Sequence, residues 1–393
     1  MTDNSGQLTA NSRAGCLHRA AVLTLTIVFS LTLTACRNYQ ELGGFDFATG
    51  LSIDWAGGQY EVTVEILDLM AAEAESAVTS IPVKSRGETL PRALESLDTR
   101  LSRGLHLGNL QNIIIGEGAA REIGMRAIFD WLSRDAKVRE TVQILVARGY
   151  PAAKILEAPG VDNPIASYAI ANILTPVNGV FRGSKKATLF QAYSDLEEQG
   201  RTLSLPSVTL SEESNGEEKQ TVAIAGLAVF DGDRLTAHLG IDELPIILLL
   251  KNHLEQTELV FHDPRGPVTA QIERAGGQWT VSQGKVGLHA VFRADIEAAL
   301  LQLPPGIGPL ETDEIAALET YAARTLENLL SDTLERLQKD VRLDVICLGY
   351  ELYLRNTPLW EQVKDGWPEP FQTMTIDVHA NVRVRNTGIA KKS

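Results

Sequence analysis

The sequence predicts an α+β protein of three consecutive mixed α/β domains, each a small sheet packed with helices. Three observations predict it. Residues 36–393 are too many for one comfortable core. Segments that alternate apolar and polar residues are interleaved with segments whose apolar residues recur every three or four positions. The first block reads β-β-α-β-α-β-α, the order of a mixed sheet with helices packed on it. The expected divisions are a leader over 1–35, an N-terminal domain over 36–175, a middle domain over 176–255 and a C-terminal domain over 256–393.

The elements follow in order. QYEVTVEI places Tyr60, Val62, Val64 and Ile66 on one strand face and Gln59, Glu61, Thr63 and Glu65 on the other. TLPRALESLDTRLSR reads as a helix, with Pro91 tolerated in its first turn. LQNIIIGE (110–117) is a short buried strand, AAREIGMRAIFDWLSRD a helix, VRETVQILVAR a strand, and 151–157 a helix. LTPVNG (174–179) reads as a linker. In the middle block, ATLFQAYSDLEEQG is helical with Gly200 as its stop. LPSVTL and TVAIAGLAVF flank the acidic tip SEESNGEEK as a hairpin, a solvated loop without the spacing of a calcium site. RLTAHL adds a strand and IDELPIILLLKNH a closing helix.

The third block opens with the strands TELVFH and GPVTAQIE and an alternating one through Val286, Leu288, Ala290, Phe292, Ala294 and Ile296. The longest helix runs roughly over 312–340, with a stripe of Ile315, Leu318, Ala322, Leu326, Leu330, Leu334 and Leu337. Such a stripe is the face a helix packs on its own sheet. A final strand sets Ile376, Val378, Ala380, Val382 and Val384 against Asp377, His379, Asn381, Arg383 and Arg385.

The N-terminus is different in kind. Arg13, His18 and Arg19 precede an uncharged run, AAVLTLTIVFSLTLT (20–34), and the run stops at Ala35-Cys36. A basic region, a short apolar region and small residues before the break describe a secretory signal peptide. A retained transmembrane anchor is the competing reading, but it has no use for a cysteine there. Leu33-Thr34-Ala35-Cys36 resembles a bacterial lipobox, which makes Cys36 the expected lipidation site and first mature residue. A thiol is nucleophilic enough to take a diacylglyceryl group, and two or more acyl chains anchor stably where one does not.

Composition excludes much. The formal net charge is −14, a poor match for nucleic acid, and there is no polybasic patch to attract anionic lipid. With Cys16 in the leader and Cys36 lipidated, Cys347 is left as a buried apolar residue, with no partner for a disulfide or a thiolate cluster. The chain has no GxGxxG, GxxxxGK[ST], HExxH, GxSxG or CxxC. His106, Asn109 and Gln111 lie together in LHLGNLQN, and His262 adjoins Asp263 in FHDPRG; a strand-entry loop and a Pro-Gly turn account for both. Nothing nominates a catalytic residue, a cofactor or a metal.

Four stretches in order carry a resemblance. They are Cys36 to Leu42 with Thr49-Gly50-Leu-Ser-Ile-Asp54; GNLQNIIIGEGAAREIGMRAIFDWLSRDAKVRETVQILVARG; AGLAVFDGDRLTAHL; and DVICLGYELYLRNTPLWEQVKDGW with residues 376–388. Together they resemble the Ger(x)C family, the lipoprotein C subunits of nutrient germinant receptors in endospore-forming bacteria. Departures are Arg37 for a usual Trp, Tyr39 or Gln40 for an Arg, and Asn109 for a common His. The resemblance implies a non-catalytic assembly or signal-relay subunit on the outer face of the inner spore membrane. It implies two membrane-embedded partners, an A-type subunit and a transporter-like B-type subunit. The rival readings are a lipid-anchored solute-binding protein, which needs two similar lobes, and an envelope hydrolase, which needs a convergent acid-base pair.

Overall fold

The computed structural model of the chain describes residues 22–23, 25, 44–68, 78–135, 137–175, 187–212, 220–285, 287–307 and 310–386. The chain divides into a unit Met1–Phe45 and a unit Asp46–Ser393, and the second holds the architecture below. Among the described residues there are helices and two mixed sheets, so the α+β class is what the molecule has.

The first sheet starts with an antiparallel hairpin, β1 (Phe45–Ala56) and β2 (Gln59–Leu67), flanked by β3 (Ser80–Gly87). β4 (Gly104–His106) pairs with β1. β5 (Asn112–Ile115) and β6 (Gln143–Ala147) then continue it, parallel to β1. β7 (Ser204–Glu212) runs parallel to β6, and the antiparallel strands β8 (Gln220–Asp231) and β9 (Arg234–Leu239) finish the sheet. Parallel strands need long crossovers, and helices on both faces supply them. One face carries α1 (Leu90–Asp98), α2 (Met125–Arg134) and α5 (Leu189–Glu197); the other carries α3 (Ala152–Glu157) and α4 (Ala166–Ile173). β5 shows why its sequence is apolar throughout. Ile113 and Ile115 enter the first core and Ile114 the second.

The second sheet is β10 (Thr257–Asp263), β11 (Gly266–Gln283), β12 (Leu288–Gln302) and β13 (Thr375–Asn386), in that order. Helix α6 (Leu244–Leu250) and the long α7 (Thr312–Arg336) pack on it. Of the expected stripe, Leu318, Ala322, Leu326, Leu330, Leu334 and Leu337 are buried and Ile315 at its start is half-buried. Three short helices, α8 (Leu348–Arg355), α9 (Thr357–Val363) and α10 (Pro368–Thr373), lead to β13. The buried face of this sheet and the α3/α4 face of the first sheet share one core.

That arrangement corrects the expectation of one small sheet per domain. Val146 pairs with Ser207 and Ala147 with Val208, so the sheet runs straight across the expected boundary at 175/176. β7 gives β6 a partner and spares it an exposed edge of unpaired backbone groups. The second sheet begins at Thr257, beside the other expected boundary. Edges are covered too: on β13 the outward N–H groups of Ala380 and Val384 donate to Glu327 and Glu319 of α7, at 3.0 and 2.8 Å.

Two local readings differ. The helix expected across 119–135 is interrupted: a single wide turn, Ala119–Ile123, ends at Gly124, whose φ of 88° only glycine adopts easily, and α2 begins after it. The helix closed by Gly200 ends earlier, at Glu197.

Candidate functional site

Thr49-Gly50…Asp54 lies on β1, and Gly50 and Asp54 meet helices that begin about a hundred residues later. Both Asp54 carboxylate oxygens accept backbone N–H groups from the start of α3, Ala152 and Ala153, each at 2.9 Å. Burial pushes the Asp54 carboxyl up, although these two hydrogen bonds oppose the shift. On β2, the fully buried Glu65 does the same for α4. It accepts from the N–H of Ala166 at 2.9 Å and of Ser167 at 3.2 Å, and from the hydroxyls of Thr49 and Ser80 at 2.9 Å each. Four donors replace the water this carboxylate has lost. Gly50 sits between them. A Cβ there would stand 2.5 Å from Leu156 Cδ1 and 3.0 Å from Ser167 Cβ. The motif therefore docks two crossover helices onto the hairpin.

The C-terminal signature builds a second such node. Asp344, fully buried, accepts from Leu348 N–H at 2.9 Å, Gly349 N–H at 2.7 Å and the Trp367 indole N–H at 2.9 Å. Gly349 is needed for closeness, since a Cβ would stand 2.6 Å from Trp367 Nε1. Trp360 stacks edge-on against Trp367 at 5.3 Å and donates its N–H to Gln199 of the first sheet's block at 3.3 Å.

Gln199 belongs to the turn in which the two blocks meet. Gly200, with a φ of 73°, presses on the backbone of Gly349 and Tyr350; a Cβ would lie 2.5 Å from Gly349 C. Arg201 lies over the Tyr350 ring at 3.8 Å and pairs with Asp195 at 2.9 Å and Glu198 at 2.6 Å. Lys251 donates to Val345 O at 3.1 Å. A cavity of about 490 Å³ opens beside this contact, with Phe230, Asp231, Trp360, Lys364 and Trp367 in its walls. A smaller one of about 160 Å³ lies between Arg201, Trp279 and Cys347. The charged groups at the junction largely satisfy one another, so its chemistry is that of a joint that holds two halves in a fixed relation.

The residues singled out from the sequence have these places. Cys36 lies outside the described residues, as do Arg37, Tyr39 and Gln40. The His106 ring meets Phe47 edge-on at 5.5 Å, Asn109 donates to the Tyr168 hydroxyl at 3.5 Å, and Gln111 donates to Asn109 O at 2.8 Å. His262 is exposed on β10, while Asp263 accepts from Arg265 N–H at 2.7 Å and Nε at 2.9 Å. Burial raises the Asp263 carboxyl, but the bonds from Arg265 outweigh it and hold the group below the usual carboxylate range. Arg265 also reaches Glu314 at 2.8 Å, joining the β10–β11 turn to the start of α7. Cys347 is buried, and burial pushes its thiol up. The acidic tip is described only as far as Glu212.

Sequence reasoning missed Glu65, Asp344 and Arg201. For Glu65 the signal was present: an acid between Val64 and Ile66, beside the Thr-Gly-x-x-x-Asp strand.

Residues 38–210 match the N-terminal domain of spore germination proteins, and residues 225–388 match the GerAC-like C-terminal domain of spore germination B3 proteins. The chain belongs to this GerAC family. YfkR of Bacillus subtilis (strain 168) is 25% identical over 384 residues, covering 94% of this chain and 97% of the relative. Spore germination protein KC of the same organism is 21% identical over 397 residues, covering 95% and 97%. The crystal structure of the GerBC protein shares the fold, with a TM-score of 0.58 at 16% identity, over 89% of this chain and all of that one. The two GerAC regions meet at the β7–β8 hairpin, so one sheet spans both.

Proposed function

We propose that this chain is the lipid-tethered C-type subunit of a spore germinant receptor, needed for nutrient-triggered germination and acting in assembly or signal relay without catalysis. The observation that carries the reading is the family match, whose N-terminal region starts at residue 38, two residues after the lipobox cysteine Cys36. Its partners are two membrane-embedded subunits, A-type and transporter-like B-type, and its place is the outer face of the inner spore membrane. A tether confined to the membrane plane raises the subunit's effective concentration beside them. The nodes at Glu65 and Asp54 support such a role, because they fix contacts between residues about a hundred positions apart rather than leaving carboxylates poised for proton transfer.

The experiment is labelling with radioactive palmitate together with gene deletion. Wild-type protein takes up label, and Cys36→Ala does not and accumulates as precursor. Spores without the gene fail to respond to one class of nutrient and still respond to triggers that bypass receptors. Normal labelling of the Cys36→Ala protein, or full nutrient responses in spores that also lack related receptors, would overturn the reading.

A further inference from the structure

Because β5 and β6 run parallel to β1, all three strands begin at one edge of the first sheet. β2 ends and β3 begins at that edge as well, where Leu67 pairs with Ser80. The start of α5 is pinned there by two backbone bonds, Leu189 N–H to Val142 O at 2.9 Å and Phe190 N–H to Glu140 O at 3.0 Å. Among the described residues, this edge exposes three large apolar side chains: Phe190 is 63% exposed, Ile81 50% and Val78 46%. No large apolar side chain is exposed in the described turns at the opposite edge, at 57–59, 116–118 and 148–151.

We propose that this edge rests on the bilayer, with Phe190, Ile81 and Val78 in contact with lipid. The proposal rests on the lipid anchor at Cys36. Nine residue steps separate Cys36 from Phe45, which at full stretch reach about 32 Å. β1 has twelve residues, and a strand of that length spans about 36 Å. If the opposite edge faced the membrane, the link would have to cover more than its own length. A link of at most that reach keeps the starting edge of β1 within about 32 Å of the anchor. Charge adds little, since Lys137 and Arg139 in the loop before β6 are balanced by Asp135 and Glu140. An apolar contact without a basic patch is a shallow one, seated at the boundary of headgroups and acyl chains.

The test uses full-length lipidated protein in vesicles of phosphatidylethanolamine and phosphatidylglycerol, with a nitroxide attached to Phe190→Cys or to Gln59→Cys at the opposite edge. Cys347 is buried and stays in place. Collision with oxygen relative to a water-soluble nickel chelate is expected to be about threefold higher or more at position 190 than at 59. Equal ratios in protein shown by mass to carry lipid would overturn the proposal and leave the anchor standing. Protein found without lipid would overturn both. Shielding of position 190 in spore membranes but not in these vesicles would assign the edge to a protein partner and also overturn it.

Discussion

The Arg201 guanidinium stacks on the Tyr350 ring at 3.8 Å, and this pair joins the block of the first sheet to the helices that precede β13. Asp195 and Glu198 hold the cation from behind. The contact is partly desolvated, so it is worth more than a surface pair. A double-mutant cycle of Arg201→Met and Tyr350→Leu, followed by denaturant unfolding, is expected to give a coupling energy of about 0.5–2 kcal/mol. Additive losses would mean that the joint is held by Gly200 and the tryptophans instead.

Gly50 is expected to tolerate no side chain. Gly50→Ala drives a methyl into Leu156 and Ser167, and overpacking of this kind costs about 1–3 kcal/mol. Gly276→Ala, whose Cβ would meet nothing closer than 4.0 Å, serves as the control and should stay near neutral. The comparison of unfolding midpoints decides whether the motif acts through packing.

Asp263 gives a pH dependence of defined sign. Its folded carboxyl sits below the usual range, so its contribution is complete above the unfolded value, about 3.9, and disappears as pH falls through the folded value. Asp263→Asn should therefore flatten the loss of stability below about pH 4. An unchanged acid limb would show that Arg265 holds the turn without its charge mattering.

The Cys347 thiol is buried and its ionisation is suppressed by burial. Thiolate-selective reagents should modify it at least ~100-fold more slowly in the native protein than in denaturant, since access requires opening of the fold. Rapid native labelling would place a mobile element over α8.

Much of the secondary structure was legible because its pattern is local. β2, α7 and β13 announce themselves by periods of two or of three to four residues. Other elements left no such trace. β11 continues through RAGGQW, beyond the GPVTAQIE strand expected from the sequence, because Gly277 makes room for Phe292; a Cβ there would lie 2.6 Å from the ring. Helices α8 to α10 are short and broken by Pro358, Pro368 and Pro370, so no periodicity accumulates. β2 alternates in sequence yet is buried on both faces from Val62 to Ile66, because α4 covers the side where Glu65 points.

The sequence by itself determined the α+β class, the long helix, the lipobox reading of Cys36 and the family resemblance, since each depends on neighbours along the chain. Only the tertiary structure decided that the strands between residues 45 and 239 share one sheet and that Glu65 and Asp54 are helix anchors. The physical reason is distance in sequence. Glu65 meets Ala166 101 residues away, and Asp54 meets Ala152 98 residues away. An acid's role as anchor or solvated charge is fixed by the donors that folding brings to it, and no local pattern records them.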